Sequence, residues 1–229
     1  MISITLPTYN EKDNLKPLIE QISLALVGRE WEVVVVDDNS QDGTAAEATE
    51  LAKNYPIRIL IRKEERGLGS AILCGFKNSR GDVVGVMDAD LQHPPELMRD
   101  LLGLIDEGND IAIASRYVRG GRVEGLSFTR KIFSIGATLL ARPLTSVRDP
   151  MSGYFFIRRS VIDGRHLDPT GFKILLEILA LKDSRTLRVK EAPYTFLKRH
   201  SGQSKLGLFE FGRYLKLLCK LYSQRLWRG

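Results

Sequence analysis

The stretch GVMDADLQHPPEL, residues 85–97, decides how the chain is read. It leaves an apolar run, GDVVGVM, with Asp88 and Asp90 either side of Ala89, then adds Gln92 and two prolines. An apolar run of this length, bounded by turn residues and without strict alternation, fits a strand buried on both faces of a parallel sheet. Pro94 and Pro95 suit the first turn of a helix, where a missing N–H costs little. Side chains two apart lean the same way in an extended chain, so Asp88 and Asp90 converge. Two clustered carboxylates repel unless a cation or donors compensate. A divalent ion answers that conflict, with Gln92 as a neutral oxygen ligand, and the all-oxygen donor set favours Mg²⁺ or Mn²⁺.

The same pattern recurs along the chain. ISITLPTYN reads as a first strand, EVVVVDDNSQDGT as a second ending in acids, IRILIRKE as a third and DIAIASRY as a further one. NLKPLIEQISLAL, GTAAEATELAKNY, GLGSAILCGFKNSR and PPELMRDLLGLIDEG alternate with them at helical spacing. Strands alternating with helices over about the first 115 residues predict an α/β fold, a single Rossmann-like α/β/α domain with a mainly parallel central sheet. Ligands of such sheets gather beyond the carboxyl ends of the strands. Pro7 to Glu11, Asp37 to Asp42 and Asp88 to Gln92 all fall there. Ser40 and Asp42 suit turn formation and capping of the next helix. Asp38 is the better ligand contact, to a base or a ribose. Glu11 is either a helix N-terminal acid or a sugar or base contact.

The rhythm changes after residue 115. A Gly/Arg-rich loop leads into the apolar helix KIFSIGATLLA, then come MSGYFFIRRSVI, GFKILLEILALKD and TLRVKEAPYTFLKR. The last segment, residues 206–229, is amphipathic: Leu208, Phe211, Leu215, Leu218 and Tyr222 recur at helical spacing, widened by Leu217 and Leu221. It either packs on the core or lies on a membrane by its basic face. Residues 185–229 hold eleven Lys or Arg against two acids, although the whole chain is only +6. That end suits nucleic acid, a phosphorylated substrate or an anionic membrane surface. The acidic strand ends would repel a nucleic-acid backbone, so no nucleic-acid partner is expected. Arg116, Arg130 with Ser134 one turn later, and Arg199 and Lys205 flanking HSGQS offer donors for phosphate.

Several classes fall away. Cys74 and Cys219 are the only cysteines, and no zinc spacing links His93, His166 and His200. Neither the dinucleotide-binding G-x-G-x-x-G nor a P-loop is present. No run of about 18 uncharged apolar residues could span a bilayer, and no leader-like segment precedes the first strand.

Taken together, LPTYNEKDNL, VVDDNSQDGT, MDADLQHPPE, SRYVRGG, DPMSGYF, GFKILLEIL and SGQSKLG resemble the inverting GT-A glycosyltransferases of family 2, in their polyprenyl-phosphate mannosyltransferase branch. The resemblance covers nearly the whole chain. It implies a catalytic domain over residues 1–205, with a nucleotide-binding part at 1–115 and an acceptor-binding part with a mobile loop at 116–205. Pro7, Tyr9, Glu11, Val36 and Asp38 would surround the nucleotide, and Asp88, Asp90 and Gln92 would hold the metal with the donor diphosphate. Arg116, Arg130 and Ser134 would face the acceptor phosphate, and Arg199 and Lys205 would close over the donor. Asp90, Asp88, Arg116 and Arg130 carry the chemistry in that reading. The implied reaction passes mannose from GDP-mannose to dolichyl or another polyprenyl monophosphate at the cytoplasmic face of a membrane. The enzyme would be peripheral, or held by an anchoring segment or subunit. A glucosyltransferase using UDP-glucose is the nearest alternative; a noncatalytic basic membrane- or nucleic-acid-binding module is the more distant one.

Overall fold

A computed structural model describes residues 1–124, 128–168, 173–181, 186–197 and 208–226. Seven strands form the central sheet: β1 (Ile2–Thr8), β2 (Trp31–Asp37), β3 (Ile57–Ile61), β4 (Val83–Val86), β5 (Ile111–Ser115), β7 (Phe155–Arg158) and β8 (Val189–Pro193). Two short strands, β6 (Arg122–Val123) and β9 (Thr195–Phe196), pair separately. The helices are α1 (Lys12–Ala25), α2 (Thr44–Leu51), α3 (Leu68–Asn78), α4 (Met98–Asp106), α5 (Phe128–Ala141), α6 (Arg159–Ile162), α7 (Ile174–Leu179) and α8 (Leu208–Leu226). Pro95 opens a 3₁₀ turn, Pro95–Leu97, that runs into α4, as the two prolines predict.

The sheet order is β3-β2-β1-β4-β7-β5-β8. Every neighbouring pair is parallel except those made by β7, which runs antiparallel to both β4 and β5. The apolar runs do not alternate because both faces are covered. On one face Ile4, Leu6, Val33, Val35, Ala112 and Ala114 meet Leu15, Leu18, Ile19 and Ile22 of α1 and Leu101, Leu102 and Ile105 of α4. On the other, Val84, Val86, Ile111, Ile113, Phe155 and Ile157 meet α3 and α7 through Ile72, Phe76, Ile174 and Ile178. The mainly parallel α/β/α expectation is met; β7's direction is not visible in its apolar run.

α8 packs on the domain. Tyr214, Leu217, Leu218 and Leu221 are buried with Ala141, Leu144, Met151 and Leu176. Leu217, Leu218, Leu221 and Tyr222 pack as the spacing predicts, while Tyr214 turns inward and Leu215 is 40% exposed. The Tyr214 and Tyr222 hydroxyls donate to the carbonyls of Ala137 and Leu140 on α5.

β7 fits beside β4 because Gly85 lies opposite Phe156. A Cβ on Gly85 would stand 2.4 Å from the Phe156 ring. Gly85→Ala must displace that ring or the strand, a cost of about 2 kcal/mol for overpacking. A urea titration reads it as a lowered midpoint with unchanged slope.

Candidate active site

Because β1, β2, β4 and β5 are parallel, their carboxyl ends share one edge. The chain turns sharply there: Asn10, Asn39 and Leu91, with φ of 58°, 57° and 60°, follow β1, β2 and β4. Asparagine tolerates that left-handed region; leucine is unusual in it, and such positions collect at functional sites. The Leu91 turn is closed by the Gln92 N–H donating to Asp90 Oδ1 at 3.1 Å.

The β2 end is a network rather than a row of open acids. Asp37 is buried and accepts from the Thr8 hydroxyl at 3.0 Å and the Ser40 N–H at 2.9 Å. Asp42 accepts from the Thr44 N–H and the Lys12 N–H, tying the starts of α2 and α1 together, the capping role its spacing predicts. Asp38 meets Arg62, whose Nε donates to Oδ1 at 2.7 Å, while the Gly67 N–H donates to Oδ2 at 2.9 Å. Arg62 also reaches the Ser70 hydroxyl at 2.7 Å and the Gly67 carbonyl at 3.0 Å. One buried arginine thus joins the ends of β2 and β3 to the start of α3. Arg66 on the same loop lies over the Tyr9 ring, 5.0 Å from its centroid.

Glu11 accepts from Asn14 Nδ2 at 2.6 Å within the first turn of α1. Pro7 pairs with Val36 across β1 and β2. The Val36 side chain is fully buried against Ala71, so it forms the floor beneath the edge.

Beyond β4, Asp88 is part-exposed and Asp90 is only 3% exposed. Gln92 Nε2 donates to the Leu197 carbonyl at 2.8 Å, which fixes the amide and leaves its oxygen outside that bond. The Leu197 N–H returns a bond to the Gln92 carbonyl at 3.2 Å. His93 turns inward among Tyr154, Tyr194 and Phe196. Burial pushes its pKa down to about 4 against the pull of Asp90, so the ring is neutral near pH 7. Burial likewise raises the Tyr194 hydroxyl, on which the charges of Arg116, Asp149, Asp88 and Asp90 all act.

Arg116, just past β5, is held by Asp149 in a paired fork. Nε and Nη2 each donate at 2.7 Å, and the Arg116 N–H donates at 3.0 Å. The arginine side chain is 11% exposed and the aspartate 0%. Burial alone would favour loss of the Arg116 proton; the bonds to Asp149 outweigh it and raise the pKa. Glu191 on β8 holds the Asp149 loop by accepting from the Arg148 and Asp149 N–H groups at 2.9 and 3.0 Å. Tyr117, next along, shares a 2.7 Å hydrogen bond with Ser134 on α5.

The described residues thus bring Asp88, Asp90, Gln92, Arg116 and Ser134 to one edge with Tyr9, Glu11 and Asp38. Arg130 lies on α5, but its side chain, and all of Arg199 and Lys205, lie outside the described residues. Asp149 and Arg62 have no part in the sequence reading, and His93 enters it only as a histidine without zinc spacing. Asp149 stands before a proline and reads as a turn, Arg62 closes a strand run, and His93 lacks a zinc-spaced partner.

Among the described residues no three His, Cys, Asp or Glu side chains gather as a metal-binding group. Two carboxylates and an amide oxygen still fit a hard ion such as Mg²⁺, which takes few protein ligands and completes its shell with water and phosphate. The donor chemistry therefore fits a divalent cation that bridges to an anionic ligand, and does not fit a zinc cage.

The chain belongs to the glycosyltransferases of family 2: the model described as "Glycosyl transferase family 2" matches residues 3–165. It is 46% identical over 226 residues to a protein of Pyrococcus furiosus named dolichol-phosphate mannosyltransferase, covering 96% of this chain and 64% of that one. It therefore spans somewhat under two thirds of that relative. A Saccharomyces cerevisiae protein of the same name is 38% identical, with 96% and 86% covered. The polyprenol monophosphomannose synthase of Mycolicibacterium smegmatis is 38% identical over 89% and 80%. Among solved structures, glucosyl-3-phosphoglycerate synthase of Mycobacterium tuberculosis in complex with UDP superposes with a TM-score of 0.72 at 20% identity. It covers 97% of this chain and 79% of that one, a likeness of fold.

The Asp149–Arg116 pair generates a direct expectation. Asp149→Asn keeps the shape and removes the charge, leaving a buried guanidinium without its counterion. The loss is about 3 kcal/mol or more, measured as a fall in the urea midpoint, and it should exceed that of Asp42→Asn at the rim.

Proposed function

We propose that the chain is an inverting, metal-dependent glycosyltransferase that moves mannose from GDP-mannose to the phosphate of dolichyl or another polyprenyl monophosphate. The observation that carries this reading is the placing of Asp88 and Asp90 beyond β4 at the same sheet edge as Arg116, which Asp149 holds in a fork beyond β5. The names of the relatives at 37–46% identity supply the sugar and the lipid class.

In this reading Pro7, Tyr9, Glu11, Val36 and Asp38 form the nucleotide side of the edge. Asp38 works from a position fixed by Arg62 and Gly67. Asp88, Asp90 and Gln92 would hold Mg²⁺ or Mn²⁺, which when bound offsets the charge of the donor diphosphate and of the departing GDP. Arg116 directs the guanidinium edge not used by Asp149 to the acceptor phosphate, with Ser134 beside it. Arg130, Arg199 and Lys205 are assigned to the same two phosphates.

A phosphate monoester is already ionised near neutral pH. The nucleophile therefore needs alignment more than a general base. Direct attack on the anomeric carbon of an α-linked donor gives a β-linked product, with no covalent glycosyl-enzyme. Arg116 suits the task because it is rigid: its fork to Asp149 removes the entropy cost of ordering a long side chain when the phosphate arrives.

The lipid needs an apolar approach. Ile135, Leu139 and Leu140 on α5 and Leu215 on α8 are exposed large hydrophobic residues. Arg213 and Lys216 are exposed on α8, and Arg142 just past the end of α5. Among the described residues no helix is long and apolar enough to cross a membrane. A helix pair with apolar and basic exposed residues supports surface association at the cytoplasmic face, alone or with an anchoring segment or subunit.

Purified protein given short-chain polyprenyl phosphate should yield mannosyl lipid from GDP-mannose; glucosyl lipid from UDP-glucose and none from GDP-mannose would reverse the assignment. Asp90→Ala should lower turnover by about 100-fold or more while the folded spectrum persists. Chelation of divalent ions should stop transfer, and Mn²⁺ or Mg²⁺ should restore it. Undiminished transfer after rigorous chelation would remove the metal from the mechanism.

A further inference from the structure

His93 follows Gln92 on the same loop, yet its ring is 2% exposed. Tyr154, Tyr194 and Phe196 surround it with centroids 5.2, 5.7 and 5.6 Å away. Its Nε2 stands 3.5 Å from Asp88 Oδ2. Its Nδ1 is buried with no hydrogen-bond partner. On another side of the same carboxylate, a Cβ placed on Gly153 would lie 3.2 Å from Asp88 Oδ2, so the main chain there closes on that oxygen.

We propose that His93 is a positioning residue for the metal-binding carboxylate: as the Nε2–H form it donates to Asp88 Oδ2 and, with Gly153 close by, fixes how Asp88 meets a divalent cation. The inference rests on the reading of Asp88 as a metal ligand. A ring kept for shape alone needs no nitrogen. Phenylalanine would fill the aromatic cage without burying an unpaired Nδ1, which costs about 1–3 kcal/mol. The nitrogen that does have a neighbour faces a carboxylate, so the proton belongs there; an Nδ1–H would have no acceptor. At 3.5 Å the pair needs only a few tenths of an ångström to reach ordinary hydrogen-bond distance. Buried beneath the edge, the ring orients a ligand and is not itself one. Partners of this kind typically change metal affinity about 10- to 100-fold.

The test measures Mn²⁺ binding to the full chain by the electron paramagnetic resonance of free Mn²⁺, in the presence of GDP. His93→Phe should raise the Kd for Mn²⁺ about 10-fold or more, and His93→Gln, which keeps a donor near the Nε2 position, should recover most of the loss. Wild-type Mn²⁺ affinity in His93→Phe, or equal weakening in both variants, overturns the proposal. Should His93→Phe fail to fold, long-range ¹H–¹⁵N spectra of the wild-type imidazoles decide. An Nε2–H tautomer whose ¹⁵N shift moves on adding Mg²⁺ is expected, and an Nδ1–H tautomer overturns the assignment. Mn²⁺ binding that survives His93→Phe but is lost in Asp90→Ala removes the role of His93 and leaves the metal site. No binding by the wild-type protein removes both.

Discussion

The backbone hydrogen bonds that seat β7 between β4 and β5 are the constraint on which the site rests. If β4 and β5 paired directly, Asp88 and Arg116 would stand one strand spacing apart, about 4.8 Å, and would close on each other. With β7 between them the separation is about two spacings, roughly 10 Å. Because β7 runs the opposite way, its amino end lies at this edge. It delivers Asp149, Gly153 and Tyr154 between the two halves, where a parallel strand would deliver its other end.

Charge is then arranged by burial. Asp149 is wholly enclosed and accepts three hydrogen bonds from Arg116. Asp38 is held by Arg62 in a similar way at the far side of the edge. Such pairs are expensive to desolvate and add little net stability. What they supply is direction: each turns a flexible side chain into a fixed one.

Much of this was legible in the sequence. The apolar runs at β1, β2, β4 and β5 marked strands buried on both faces, and each ended in the polar residues that now line the edge. Pro94 and Pro95 marked the start of the next helical segment. Capping by Asp42 followed from its place before Thr44. The rest was hidden for physical reasons. A strand's direction is set by tertiary pairing, so FFIR reads the same whether parallel or antiparallel. Asp149, Arg62 and His93 act through partners 33, 24 and 5 residues away, and no local periodicity records such pairings. On α8 the stripe packs largely as its spacing reads, but the packing partner α5 decides which neighbouring residue turns inward. Leu215 loses that competition to Tyr214.

The helix pair has one more consequence. α8 grips α5 through tyrosine hydroxyls on the carbonyls of Ala137 and Leu140. α5 in turn carries Ser134, whose hydroxyl meets Tyr117 beside the guanidinium of Arg116. The outer helices and the aromatic ring beside the cationic group are thus tied together through α5, so a sideways load on α8 would be felt as a tug on Tyr117.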